Sequence, residues 1–362
     1  MTQPIRDSLG RPLRDLRISV TDRCNMRCRY CMPREIFGPN FTFLPRSELL
    51  TFEEITRIAA AFIRAGVRKI RLTGGEPLLR ADLPRLVAML ADLPDVHDLA
   101  LTTNGSLLAR YARPLRDAGL RRVTVSLDTL NPATFSRLAD TDIPLDNVLA
   151  GIDAAQSAGF FPIKLNAVIR RGVNDGDVEE LAAFARDNGH IMRFIEYMDV
   201  GNSNGWRAAD VVPAAEIIAR ISSHWPIDPL PPRYPGEVAN RFRYRDGRGE
   251  FGVIASITQP FCRDCTRLRL SAVGEVFTCL FAVRGHDLRS IVRSNTDSAA
   301  IDAALDEAIT RIWSRRSDRY SELRALDSDG SREDADESEA SAVPGRSTHP
   351  GHRKVEMSYI GG

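Results

Sequence analysis

The chain has 362 residues, 49 basic against 48 acidic side chains, a net charge of +1 and 43% apolar residues. That apolar share excludes a disordered or fibrous chain. The near-zero charge removes any general attraction to nucleic acid, and no stretch reaches the ~18–20 apolar residues of a membrane span. The first residues lack the apolar core of a secretory signal, so we expect a cytoplasmic protein with no nucleic-acid or membrane partner. At ~100–200 residues per domain, the length suits two domains, or one large α/β barrel with an appendage.

Taken in chain order, the first half alternates strand and helix patterns. Strands are expected at 16–21, 67–74, 99–104, 123–128, 163–169 and 191–198. Gly66, Gly119, Gly159 and Gly189 each close a helical pattern shortly before the next strand, where glycine takes the left-handed conformation at little cost. Thr51 and Glu54 have the spacing of a capping box opening the first long helix. Repeated strand–helix units imply a parallel sheet. Four polar motifs fall at strand ends: Thr21-Asp22-Arg23-Cys24, Thr73-Gly74-Gly75-Glu76-Pro77, Thr102-Thr103-Asn104-Gly105 and Ser126-Leu127-Asp128-Thr129. They share the C-terminal edge, where parallel α/β sheets place their sites. Strand alternation puts Leu16, Ile18 and Val20 on one face and Arg17 on the other. It sets Lys69 and Arg71 against Ile70 and Leu72, and Lys164 against Ile163 and Leu165. If helices cover the apolar face, these cations look inward. They either pair with carboxylates at a rim or await a polyphosphate.

The second half changes character. A helix is expected at 213–222, a proline-rich connector at 222–236, and short antiparallel strands at 241–245, 251–256, 266–271 and 275–281. Arg267 and Arg269 share a face opposite Leu268 and Leu270, a pattern equally open to a solvent-facing strand. A helix should cover 299–326. The Ser/Asp/Glu/Gly-rich segment 327–352 reads as a disordered insertion, with order resuming at 355–360 before the terminal Gly361-Gly362. We therefore divide the chain at 1–221 and 222–362.

All six cysteines fall in two clusters: Cys24, Cys28 and Cys31, then Cys262, Cys265 and Cys279. Six in so long a chain are too few for a disulfide scaffold. Thiolates select zinc or iron–sulfur clusters. A closed zinc site needs four ligands; only the second triad has a nearby histidine, His286, so zinc stays an alternative there. Three thiolates on a four-iron cube leave one iron open.

The CxxxCxxC run from Cys24 to Cys31 and Gly74-Gly75-Glu76-Pro77 resemble the signatures of radical S-adenosylmethionine (SAM) enzymes. Adding Arg17, TTNG, SLDT, the second triad with Arg267 and Arg269, and the terminal Gly-Gly, the chain resembles the MoaA family. These are the GTP 3′,8-cyclases of molybdenum cofactor biosynthesis. The resemblance covers nearly the whole chain outside 327–352. It implies an incomplete (βα)6 radical-SAM barrel, within an α/β fold, carrying a C-terminal α+β extension. It implies a lyase holding two [4Fe–4S] clusters, on Cys24, Cys28 and Cys31 and on Cys262, Cys265 and Cys279. Tyr30, Gly75, Ser126 and Met198 match SAM-binding positions. Arg17, Arg71, Thr102, Lys164, Arg267, Leu268 and Arg269 match GTP-binding positions, with Lys69 and Arg193 as neighbours left unassigned. In the implied reaction SAM is cleaved to methionine and 5′-deoxyadenosine. The radical takes the C3′ hydrogen of GTP, and C3′ joins guanine C8 to give (8S)-3′,8-cyclo-7,8-dihydroguanosine 5′-triphosphate. No side chain is expected to act as acid or base, and Asn104, Asp128 and Glu196 are rim residues of open role. The terminal glycines would reach into the site, where only a backbone without side chains fits. A low-potential electron donor and a downstream cyclic pyranopterin monophosphate synthase follow as partners, with a homodimer left open.

Overall fold

The computed structural model describes residues 4–295, 297–327 and 354–361. In chain order the strands are β1 (Asp15–Ser19), β2 (Lys69–Thr73), β3 (Asp98–Thr103), β4 (Arg122–Ser126), β5 (Lys164–Ile169), β6 (Ile191–Glu196), β7 (Ile227–Leu230), β8 (Asn240–Tyr244), β9 (Glu250–Ile254), β10 (Arg267–Leu270), β11 (Glu275–Phe277) and β12 (His286–Asp287). The longer helices are α1 (Phe52–Arg64), α2 (Leu83–Ala91), α3 (Leu108–Asp117), α4 (Pro132–Ala139), α5 (Leu145–Ser157), α6 (Val178–Asp187), α7 (Ala214–His224), α8 (Ser298–Ser314) and α9 (Tyr320–Asp327).

Local chemistry accounts for the first half. The capping box is present: Thr51 Oγ1 accepts from Glu54 N at 3.1 Å, and Glu54 Oε2 accepts from Thr51 N at 2.7 Å. Gly66, Gly119, Gly159 and Gly189 all take positive φ, as the helix exits require. Leu16, Ile18, Ile70, Leu72 and Leu165 are fully buried on the outer face of the sheet, in the core that the helices cover. The six strands β1 to β6 run parallel and adjacent in sequence order.

The C-terminal strands depart from the sequence expectation. All strands join one open twelve-stranded sheet, ordered β12-β11-β10-β1-β2-β3-β4-β5-β6-β9-β8-β7. Strands β9 and β10, expected to be antiparallel, instead pair in parallel with β6 and β1. Only β11, β12, β8 and β7 at the two margins are antiparallel. The C-terminal half thus extends the barrel wall on both sides. The proline-rich connector contains β7, which pairs with β8 because its ladder needs few N–H groups at a sheet edge. The strand expected at 275–281, β11, stops at Phe277. The long helix is broken in two at 315–319, around Arg316. The segment expected to be disordered, 327–352, lies outside the described residues beyond Asp327, as does Gly362.

Candidate active site

The lumen of the wall is where the polar motifs meet. The cysteine loop follows β1 and is clamped against the turn after β2: Gly75 N donates to Thr21 O and Glu76 N to Arg23 O, each at 2.8 Å. A Cβ on Gly75 would lie 2.3 Å from Arg23 O, so only glycine allows this approach. Glu76 is buried and knits the turn to the end of β3, accepting from Leu78 N, Thr103 Oγ1 and Asn104 N at 3.0, 2.7 and 2.7 Å. Burial pushes its pKa up to about 7.

One cavity is lined by both cysteine triads, by Tyr30, Gly75, Ser126 and Met198, and by Arg17, Arg71, Thr102, Arg267 and Arg269. Two predicted residues are not in its wall. Leu268 is fully buried in the hydrophobic core, since its position in β10 points it to the outer face. Lys164 sits half-buried among the cations, its pKa lowered to about 7 by burial and by Arg193, Arg122, Arg71 and Lys69.

At the first triad Tyr30 Oη donates to Asp128 Oδ2 at 2.8 Å, and Asp128 Oδ1 accepts from Val168 N at 2.8 Å. Burial raises Asp128 to about 6. Asn104 Nδ2 donates to Asn25 Oδ1 at 2.8 Å and faces Cys24 Sγ at 3.9 Å. Asn104 and Asp128 therefore orient the cysteine loop. Glu196 is different: it is buried away from the cavity, accepting from Ala214 N, Ile257 N and Thr258 N, and its role is structural.

The register of three adjacent parallel strands carries the decisive electrostatics. One row reads Arg267, Asp15, Lys69, so an anion sits between two cations, with Lys69 Nζ 3.1 Å from Asp15 Oδ1. The next row, two residues along, reads Arg269, Arg17, Arg71. Like charges directly across strands repel. Among the described residues no carboxylate pairs with any of the three; Arg71 has only the hydroxyls of Thr102 and Thr124, at 2.8 and 3.0 Å. Burial, then Arg269, Arg267 and Arg71, hold Arg17 well below its ordinary pKa. Burial lowers Arg71 and Arg269 to about 10.

Arg193 belongs with this group and the sequence left it out. It lines the cavity, reaches Thr124 Oγ1 at 3.4 Å, keeps a buried Nε without a partner, and is lowered to about 9 by burial and by Arg71. A strand running over 191–198 would put Arg193 and Met198 on opposite faces, but β6 ends at Glu196 and parity fails past a strand end.

The tail completes the site. Arg269 donates to Gly361 O, and a Cβ on Gly361, at φ 70°, would lie 2.0 Å from Thr73 Oγ1. His286, the histidine that kept zinc open, is exposed on β12. Among the described residues no three His, Cys, Asp or Glu side chains converge on a single metal ion.

Two family models match successive parts of the chain: the radical SAM superfamily over residues 18–185, and Molybdenum Cofactor Synthesis C over 190–322. The chain is 49% identical over its full length, and over the full length of the relative, to a GTP 3′,8-cyclase of Xanthomonas axonopodis pv. citri. It is 45% and 44% identical, again over all of both chains, to those of Staphylococcus aureus and Staphylococcus saprophyticus. The chain belongs to the GTP 3′,8-cyclase family. Its fold resembles a crystal structure of Streptococcus suis SuiB bound to S-adenosylmethionine, with a TM-score of 0.58 and 16% identity. That match covers 82% of this chain and 68% of SuiB.

The thiols of this cyclase fit the iron–sulfur clusters that the superfamily implies. Three thiolates would each hold a different iron of a four-iron cube and leave the fourth open, so three separated sulfurs suffice where a zinc ion would need a converging set of four. Burial, and for Cys28 the neighbouring Cys24 and Cys31, push the first triad's thiols up, Cys24 to about 11. Thiolates so placed need a cationic metal as counter-charge.

Proposed function

We propose that this chain is a radical SAM GTP 3′,8-cyclase, converting GTP to (8S)-3′,8-cyclo-7,8-dihydroguanosine 5′-triphosphate in the first step of molybdenum cofactor biosynthesis. Cys24, Cys28 and Cys31 would hold one [4Fe–4S] cluster, and Cys262, Cys265 and Cys279 a second across the same cavity. When bound, the reduced first cluster and SAM supply a hydrogen-abstracting radical that no side chain can generate. The protein's own work is positional.

The single observation that carries this reading is the row Arg269, Arg17, Arg71, three guanidiniums in register, the outer two buried and Arg17 half-buried, with no anion between them. A triphosphate supplies that charge, and forked guanidinium donors suit phosphate oxygens. Thr102 fixes Arg71 within the row. Arg193, in the cavity wall on β6, adds a further cation outside the row, and Lys164 adds a titrating one. Arg267 stacks on Phe261, its Cζ 5.0 Å from the ring centroid, which holds it at the second triad's loop. Tyr30, Gly75, Ser126 and Met198 frame the SAM end, with Tyr30 held by Asp128. Leu268 serves the site through its backbone and its packing. Gly361 packs against Arg269 and Thr73, holding the end of the row in place.

A reducing, cytoplasmic setting suits six free thiols. A low-potential electron donor and a downstream synthase that consumes the cyclised nucleotide are the partners this chemistry calls for. No described helix is long and apolar enough to cross a membrane.

The test is anaerobic reconstitution followed by incubation with SAM, a reductant and GTP, ATP or CTP. We expect 5′-deoxyadenosine and a cyclised nucleotide with GTP alone. SAM cleavage that ignores the nucleotide would overturn the assignment.

A further inference from the structure

Beneath the second cysteine triad lies a charged cluster, of which Arg316 reaches the cavity wall. The Asp7 side chain is fully buried, and those of Arg11 and Arg316 are 2% and 1% exposed. Arg11 Nε lies 2.5 Å from Asp7 Oδ2, and Arg316 Nη1 lies 3.4 Å from the same oxygen. The other Asp7 oxygen accepts from Leu9 N and Arg11 N, each at 2.9 Å, which closes the N-terminal turn. The arginines do not stop at Asp7. Arg11 Nη1 donates to Cys262 O at 2.8 Å, and Arg316 Nη1 to Cys265 O at 2.7 Å. Trp313 supports both, its Nε1 donating to Arg11 O at 3.1 Å and its ring lying 4.6 Å from Arg316 Cζ.

Two features separate this from ordinary fold support. First, the guanidiniums hold the carbonyls of two of the three cysteines, one opening the short turn (Cys262–Asp264) and the other just past its end. Fixing both carbonyls fixes the direction in which both sulfurs leave the backbone. Second, the charges are unevenly buried. Arg11 and Arg316 face one fully buried anion, Asp7, while the balancing Asp318, 3.2 Å from Arg316 Nε, is part-exposed and better screened by water. Groups behind metal ligands commonly orient them and set the electronic character of the metal.

We propose that Asp7, Arg11 and Arg316 are positioning residues for the second cysteine triad, holding the Cys262–Cys265 turn in its binding conformation and setting the charge behind the group bound there. This rests on the reading that the second triad holds a [4Fe–4S] cluster. The network joins the N-terminal turn, the break between α8 and α9, and the cysteine turn, three segments distant in sequence. That also explains why the helix expected at 299–326 is interrupted at Arg316.

Asp7→Asn and Arg316→Gln, made in the full chain and reconstituted anaerobically, test it. The readouts are iron per chain, the electron paramagnetic resonance signal of each cluster, the reduction potential of the second, and the melting temperature. Removing Asp7's negative charge should move the second cluster's potential to more positive values. Removing Arg316's positive charge should move it to more negative ones. Both should lower second-cluster occupancy while the first cluster stays full. Opposed shifts are a signature that loosened packing does not produce. Unchanged second-cluster occupancy and potential in both variants would overturn the proposal, as would equal loss of both clusters with a lowered melting temperature. Arg316→Lys, which keeps the charge without the fork, should restore the potential more than the occupancy; restoring neither would also count against it. Four irons per wild-type chain, rather than eight, would instead refute the two-cluster reading beneath.

Discussion

The two cysteine triads face one cavity from different electrostatic surroundings. Around Cys24, Cys28 and Cys31 the nearby ionisable side chains include the carboxylates Glu76, Asp128 and Glu356, and every thiol is pushed upward. The second triad is mixed: at Cys265 burial pushes up, but Arg267 and Arg316 outweigh it and bring the thiol down to about 6, whereas burial and Asp318 push Cys279 up to about 11. The first site depends on its metal for counter-charge and suits a ligand that is itself cationic, as the SAM sulfonium is. The second has cations at Cys265, and the arginine row beside it suits an anion. The division between cofactor end and nucleotide end is thus written in the charges around the cysteines as well as in their spacing.

Four changes would break or sharpen this contrast. The largest effect belongs to the first triad: Cys28→Ala should abolish SAM cleavage entirely, with or without GTP, and persistent 5′-deoxyadenosine formation would mean the triads are misassigned. Next comes Leu268→Ala, which empties a fully buried core position and should cost about 2–5 kcal/mol of stability by denaturant unfolding. The KM for GTP should not change, and a selective rise would show that the side chain meets substrate. Arg17→Ala removes the centre of the uncompensated row. A lost charged hydrogen bond is worth about 1.5–3 kcal/mol, so kcat/KM for GTP should fall about 10–100-fold while iron content and SAM binding hold.

The smallest effect concerns Lys164, whose pKa is lowered to about 7. Burial and neighbouring cations disfavour its proton in the empty site, and a triphosphate would favour it, so binding takes up a proton. The KM for GTP should therefore rise a few-fold between pH 6 and 8, and Lys164→Met should flatten that limb. A rise of the same size in the variant would assign the titration elsewhere.

Much of this was legible in the chain. Periodicity and the four glycine exits fix β1 to β6, because each element is short, local and covered by helices on one face. The motif residues reached one rim because parallel strands force their C-terminal ends together. What failed was non-local. Whether 251–256 and 266–271 run parallel or antiparallel depends on which strand edge they meet, and alternation is the same either way. Leu268 shows the reverse: its alternation was legible and points it outward, and only the resemblance placed it among the GTP contacts. Arg193 was missed because parity was extended past the end of β6. The buried Asp7, Arg11 and Arg316 cluster gave no sequence signal, since Arg316 lies about three hundred positions from the other two.

The central claim is that the triads serve different ligands across one cavity. Cys279→Ala, reconstituted anaerobically and incubated with reductant, SAM and GTP, tests it most directly through two products read in one reaction. The account predicts that the first cluster survives and 5′-deoxyadenosine still forms at a basal rate, while no cyclised nucleotide appears. Cyclised product at the wild-type level, or loss of the first cluster together with all SAM cleavage, would contradict it.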